Sequence, residues 1–482
     1  MTRSTSRTRF TRTLAAITAV SCAALPLLAS AACDGETTQA ATSTRTPQDI
    51  DAPRVRLRVS GSLEGRLEPC GCASGQIGGL ARRSFRNQAE RGTYDFLLEG
   101  GDIVDGGTAL DELKLMTILE VLDDRRAHYD AIALGPDDLE LPRDLLSDFL
   151  GGHPQLPVVA SDLVVLGKDG SPWPARPFVD MSKDGLTLRV ASLTGRLPAA
   201  TDKEQPTYRL LDPAAAWQLA MKDVAPSAFR VAFVHGGADR ARALAKLQPK
   251  PDLLIAVGDA SEPPAGPELV DGVPLVQPGI RGRHLLDITL MRGTKGPEVV
   301  KYERVTLAGS TTAKGALEDK DIAAQILAHR QEVKSEDTRS KMAERLPTAN
   351  GARYVGSESC GSCHAPALEK WKTTKHAIAW DTLENAESSG RYKWPVTWYP
   401  DCIACHTDGY GEVSGFVAPE RTPTLAAVGC ESCHGAGSAH SADPIKVKLG
   451  PVDSQRCTHC HDFEQSPDFD YRARWTKIEH GK

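Results

Sequence analysis

The sequence predicts two fold classes in one chain. The first is an α/β domain layered as helix, sheet, sheet and helix (αββα), and a small, mostly helical domain without an aliphatic core follows it. Three observations predict this. From Arg54 to about Leu307, short apolar runs alternate with amphipathic stretches, the pattern of α/β and layered domains. From Tyr354 to the end, one five-residue motif recurs four times. Five of the seven Trp and five of the nine Tyr fall in that last part, where aliphatic runs are few. A length of 482 residues accommodates two or three such domains.

Taken in order, residues 1–13 carry Arg3, Arg7, Arg9 and Arg12 without one acid, and Leu14 to Ala32 is apolar and small. Ala29-Ser30-Ala31 suits a signal peptidase, so residues 1–32 are expected to be an export signal. Cys33-Asp34 also fits a lipid anchor at Cys33, although Ser30 stands where a branched residue is usual. The expected location is the periplasm, or attachment to the inner or outer membrane of a Gram-negative-type envelope. Residues 33–52, rich in Thr, Ala, Gln and Pro, have little to bury and read as a flexible tether. No later run approaches the ~20 apolar residues of a membrane-spanning helix.

Residues 53–308 form the layered domain. Expected strands are Val55–Val59, Asp95–Glu99, Ala131–Leu134, Val158–Ala160, Leu188–Ala191, Val231–Val234, Leu253–Val257, Val273–Val276 and Leu285–Leu290. Leu110–Leu122 and Ala238–Leu247 are expected to be helical. Polar residues follow the apolar runs: Glu64, Asp102, Asp137, Asp138, His235 and Asp259. Ligands of open α/β sheets bind beyond the carboxyl ends of strands, so these groups could converge into a metal or acid site. Acids and glycines are also what ordinary turns contain. Cys70-Gly-Cys72 is the odd feature here. Three readings stay open: a structural bridge, a strained and easily reduced disulfide, or a metal or redox pair beside the pocket. The spacing of His128, His153, His284 and His329 supplies no partners, and they read as surface or core residues.

This region resembles the calcineurin-like metallophosphoesterases, specifically the exported 5′-nucleotidase branch. Leu63 to Cys70, then Gly78-Gly79-Leu80-Ala81-Arg82, is similar to the branch's opening. Gly101-Asp102 resembles its bridging-aspartate turn, and Val234-His235-Gly236 its later histidine turn. Val273 to Gly279, running on to Gly282-Arg283, resembles its closing strand. The departures weigh more. Where the family places Asp and His in its first turn, Ser62 and Glu64 stand here. Its Gly-Asn-His-Glu turn is Gly135-Pro136-Asp137-Asp138, and its Gly-His-x-His turn is Gly258-Asp259-Ala260-Ser261. Only Asp102 and His235 match. Two-metal hydrolysis needs both ions held together, and losing most imidazoles dismantles that arrangement. The remaining oxygens suit at most a hard divalent cation.

Residues 309–350 are expected to link the domains. Lys314 to Leu346 is charged and reads as an amphipathic helix with Ile322, Ile326, Leu327 and Val333 on one face, ended by Pro347 and Gly351.

Residues 351–482 hold the repeated motif: Cys360-Gly-Ser-Cys363-His364, Cys402-Ile-Ala-Cys405-His406, Cys430-Glu-Ser-Cys433-His434 and Cys457-Thr-His-Cys460-His461. Cys-x-x-Cys-His is the pattern of covalent c-type haem attachment, with the thiols as thioethers and the imidazole as proximal ligand. Zinc ribbons or a disulfide framework are the alternatives. A zinc site needs only four ligands and no His after each second Cys. Four c-type haems are therefore expected, with Trp371, Trp380, Trp394, Trp398 and Trp475 packing against flat macrocycles in place of an aliphatic core. The last Met is Met342, so Met/His coordination is excluded locally. Four other His remain, and His459 lies inside its own motif. That leaves His376, His440 and His480 for four irons, predicting bis-His haems with one iron left open.

Tyr354 to His364 with Trp371 and Lys375-His376-Ala377, then Cys430 to His440 and the closing run from Ser466 through Trp475 to His480, resembles the tetrahaem cytochrome c family of the c-554 type. The resemblance implies that His376, His440 and His480 are distal ligands and that one haem, at His406, is five-coordinate. It also implies electron transfer between partners outside the cytoplasm. A formal net charge of −6 gives no electrostatic case for nucleic acid. The expected function is thus periplasmic electron transfer, with redox proteins as partners and the front domain as docking module or remodelled site. Two alternatives are a haem-linked reductase acting on a small oxyanion at the open iron, and a surviving phosphoesterase.

Overall fold

The structure, a computed structural model, describes residues 51–69, 73, 75–124, 126, 128–165, 173–198, 208–309 and 317–480. The expected export signal, Cys33, nearly all of the tether, and Cys70 and Cys72 lie outside these.

Fourteen strands are described: β1 Arg54–Ser60, β2 Phe96–Glu99, β3 Ala131–Ala133, β4 Val158–Val159, β5 Leu163–Val165, β6 Val179–Lys183, β7 Leu186–Leu193, β8 Tyr208–Leu210, β9 Phe229–His235, β10 Leu253–Val257, β11 Glu268–Val270, β12 Val273–Val276, β13 His284–Gly293 and β14 Gly296–Thr306. Two six-stranded sheets result, ordered β14-β13-β1-β2-β3-β4 and β11-β12-β10-β9-β7-β6, with β5 and β8 as a separate pair. In each sheet four strands, β1 to β4 or β7, β9, β10 and β12, run parallel. Antiparallel strands flank them.

Alternation explains the layering. Val55, Leu57 and Val59 of β1 face the second sheet's Leu188, Val190, Val231 and Phe233, all buried in the core between the sheets. The opposite faces pack on helices α1 Leu80–Ala89, α2 Ala109–Leu122, α3 Arg143–Gly152, α4 Pro213–Ala220 and α5 Gly237–Ala243. Each large aliphatic side chain so buried contributes about 1.5–3 kcal/mol over leaving it exposed. Arg58 crosses the outer layer wholly buried, held by Asp287 and Glu90 at 2.6 Å each. The α2 helix starts where Thr108 and Asp111 form a reciprocal capping box.

The connector differs from the expectation of one helix over 314–346. It is α6 Lys320–Ser335, capped by Asp319, followed by the short α7 Thr338–Met342. The break falls at Asp337, whose φ of +48° ends the helix before Pro347 is reached. Ile322 and Ile326 sit in the core of the first sheet and its helices. Two turns further along, Val333 joins a second core with Leu110, Trp380, Leu383, Ile403 and Phe416. That single helix belongs to both cores, and the described residues form one compact unit.

The rest is short and helical: α8 Ser357–Gly361, α9 Ala365–Lys372, α10 Ala379–Ser388, α11 Pro400–His406, α12 Cys430–His434, α13 Ser438–Ala442, α14 Ser454–Thr458 and α15 Tyr471–Ile478. Among the described residues no helix is long and apolar enough to cross a membrane.

Candidate functional site

Two sites were expected, one beyond the sheets and one among the pentapeptides. The inner strands end level: Ser60 pairs with Glu99, Glu99 with Ile132, and His235 with Val257. The turns that follow therefore share one mouth. There Oδ2 of Asp102 lies 3.3 Å from Nδ1 of His235 and 3.5 Å from Oγ of Ser62, while Oδ1 accepts the Asp137 amide at 3.1 Å. Burial pushes the Asp102 carboxyl up, but the facing His235, the Asp137 amide and Arg196 outweigh it and hold it below the ordinary carboxylate range. Asp138 is buried and accepts the amides of Ile103 at 2.7 Å, Val104 at 3.2 Å and Gly135 at 2.9 Å. Burial and the charge of Asp102 raise it well above that range.

The other expected members point elsewhere. Arg196 pairs with Asp137. The Asp259 carboxylate accepts the Ala238 amide at 3.1 Å, in the first turn of α5. Glu64 accepts from Nε of Arg281 at 3.2 Å. The six described residues thus divide among four arrangements, because cations and helix amides compete for their oxygens. Among the described residues no three or more His, Cys, Asp or Glu are grouped to hold a metal ion. Glu64, Asp102 and Arg281 all keep positive φ, at 50°, 45° and 60°. Non-glycine residues held there cost about 1–3 kcal/mol each, strain that clusters at functional sites.

The pentapeptide region is organised by histidines. His364 faces His440, His434 faces His480, and His461 faces His376, with ring centres 6.1–6.2 Å apart in every pair. A metal–nitrogen bond of about 2 Å plus roughly 1 Å from nitrogen to ring centre places two imidazoles on opposite sides of one metal about 6 Å apart. These pairs therefore fit six-coordinate haem iron. Each pair joins the His of a Cys-x-x-Cys-His motif to a His outside the motifs. Among the described residues no imidazole faces His406.

Ring orientation agrees. Nδ1 of His406 lies 2.6 Å from the Ala379 carbonyl and Nδ1 of His440 2.7 Å from that of Val447. A carbonyl only accepts, so Nδ1 carries the hydrogen and Nε2 keeps its lone pair for a metal. Burial pushes the His376, His406, His434 and His461 imidazoles down, toward the neutral form that binds metals. The motif thiols are paired too: Cys360 is within hydrogen-bonding reach of Cys430, and Cys405 of Cys460. Glu431, inside the third motif, is buried and accepts the amides of Val355, Gly356 and Gly437 at 2.7–3.0 Å. It thereby ties the chain entering the first motif to the third.

Sequence reasoning missed the residues that join the two regions. Lys114 of α2 meets Asp401, next to Cys402, at 2.9 Å. Arg281 meets Asp462, next to His461, at 2.9 Å and Glu464 at 2.8 Å. The only sequence signal was an acid directly flanking two of the motifs.

Fold and site together resemble a cytochrome c region joined to an αββα domain with the fold of nucleotidases. The family model of cytochrome c554 and c-prime matches residues 359–435. The cytochrome c-554 of Nitrosomonas europaea is 32% identical over 155 residues, which cover 27% of this chain and 66%, just under two thirds, of that protein. The C-terminal region resembles that family, whose cofactor is c-type haem. The structure of the NAD nucleotidase of Haemophilus influenzae matches with a TM-score of 0.50 at 13% identity, over 68% of this chain and 70% of that one. The 5′-nucleotidase precursor of Thermus thermophilus gives 0.49 at 20% identity, over 70% and 68%. At such identity the former likeness concerns the fold alone.

Proposed function

We propose that this protein is an exported electron-transfer protein carrying four covalent haems, and that its front domain has lost the ligands for two-metal hydrolysis. The observation that carries this reading is the set of three histidine pairs, each spaced for one iron and each containing one motif histidine. Bound there, haem supplies reversible one-electron chemistry. The chain's residues then have defined tasks. Cys360, Cys363, Cys402, Cys405, Cys430, Cys433, Cys457 and Cys460 tether the groups, and His364, His406, His434 and His461 are the proximal ligands. His440, His480 and His376 close the first, third and fourth sites. The adjacency of Cys360 to Cys430 and of Cys405 to Cys460 supports two pairs of neighbouring groups, the arrangement a conducting path needs. Redox proteins outside the cytoplasm are the partners that fit this role.

Intact mass and haemochrome absorbance of the mature protein test it: four covalent haems per chain are expected. Replacing both Cys of one motif by Ser should remove one haem, and a protein with the bare polypeptide mass would overturn the reading. Cell fractionation with Cys33→Ser tests the anchor, since a lipidated protein loses its membrane fraction on that change.

A second reading, reduction of a small oxyanion at the His406 site, is favoured by the missing imidazole opposite His406. Addition of cyanide or nitrite should perturb one haem in four, and a spectrum indifferent to both would remove this reading. Retained phosphoesterase activity is disfavoured by the amides and cations on Asp137, Asp138, Glu64 and Asp259. Turnover of nucleotides with added Mn or Mg should not exceed that of Asp102→Asn.

A further inference from the structure

We infer that Arg281 of the nucleotidase-like domain is a positioning residue for the fourth haem site, gripping the loop after His461 and raising the reduction potential there. The inference rests on the four-haem reading above.

The geometry is specific. Arg281 follows β12, at the mouth where a substrate would enter the sheets. Its Nε donates to Glu64, and its Nη1 donates to Asp462 at 2.9 Å and Glu464 at 2.8 Å. The guanidinium groups of Arg281 and Arg283 lie 5.1 and 4.7 Å from the centre of the Phe463 ring. Gln76, at the same mouth, donates to the Glu464 carbonyl at 2.9 Å. The three residues after His461 are therefore all held by side chains of this domain. Arg281 is bent into the left-handed region, φ +60°, to reach them. Holding a non-glycine residue there costs about 1–3 kcal/mol and persists only where its contacts over-determine it.

The electrostatic consequence has a fixed sign. Oxidised haem iron carries one more positive charge than reduced. Asp462 stands beside the proximal ligand and, alone, favours the oxidised form. Arg281 offsets that charge from a half-buried position, where salt screens little. Removing the cation exposes the carboxylates and lowers the potential; removing the Asp462 charge raises it.

The test is a redox titration of the full-length holoprotein, followed optically and by electron paramagnetic resonance. The transition of the fourth site is assigned as the one displaced by His376→Ala. Arg281→Gln should lower that midpoint by about a tenfold change in the oxidised-to-reduced ratio, ~59 mV for one electron. Asp462→Asn should raise it, and Arg281→Lys should lie near the parent. Lys114→Met, which touches the second motif, should leave it in place. Shifts of Arg281→Gln and Asp462→Asn in the same direction, or no shift in either with all four haems attached, would overturn the inference. Fewer than four haems in the parent protein, or no transition moved by His376→Ala, would overturn the underlying site reading and the inference with it.

Discussion

Glu431 shows how much one side chain can hold. Its buried carboxylate takes backbone amides from two separate segments, before the first motif and after the third. Hydrogen bonds to a charged group are worth about 1.5–3 kcal/mol each, so Glu431→Gln should cost at least that much in chemical denaturation of the holoprotein. The distal histidines make a complementary prediction. His376→Ala, His440→Ala and His480→Ala should each turn one low-spin haem high-spin while leaving the covalent haem count at four, whereas His459→Ala should change neither. Glu64 predicts a pH dependence. Burial, opposed by Arg281, pushes its carboxyl up to about 7 from an ordinary 4.5. Between those values the folded state binds more protons than the unfolded one. The Glu64 contribution to stability is therefore full below the mid-fours and lost as pH rises through 7. Glu64→Gln should flatten the stability profile over that window, and an unchanged slope would contradict the assignment.

Among the elements, α6 carries the connection between the two regions. Ile326 lies in one core and Val333 in the other. Ile326→Ala should cost about 2–5 kcal/mol, and the sheet signal and the haem-region signal should be lost in one transition. Two transitions would show that the cores are separable. Most inner strands were legible because stretches such as Leu253 to Val257 are continuous apolar runs, as strands buried on both faces require. The edge strands β11 and β14 were not, since Glu268 to Val270 and the alternating charges of Gly296 to Thr306 carry no such run. The histidine pairs were legible in outline because so few His were available. The partners Arg281 and Asp462 were not: 181 residues separate them, and nothing local to either announces a long-range ion pair.

At the scale of the whole molecule, the αββα layers and the pentapeptide region form one compact unit, with Arg281 reaching Asp462 and Glu464 across it. Glu64 pairs with the same Arg281, while Asp259 accepts the Ala238 amide of α5. The central claim is that four irons are held, three between paired imidazoles and one by His406 alone. Mössbauer spectroscopy of the fully reduced, iron-57-enriched protein tests it most directly. The account predicts four irons per chain, with three quarters of the signal low-spin and one quarter high-spin. Four low-spin irons, or a protein without haem iron, would contradict it.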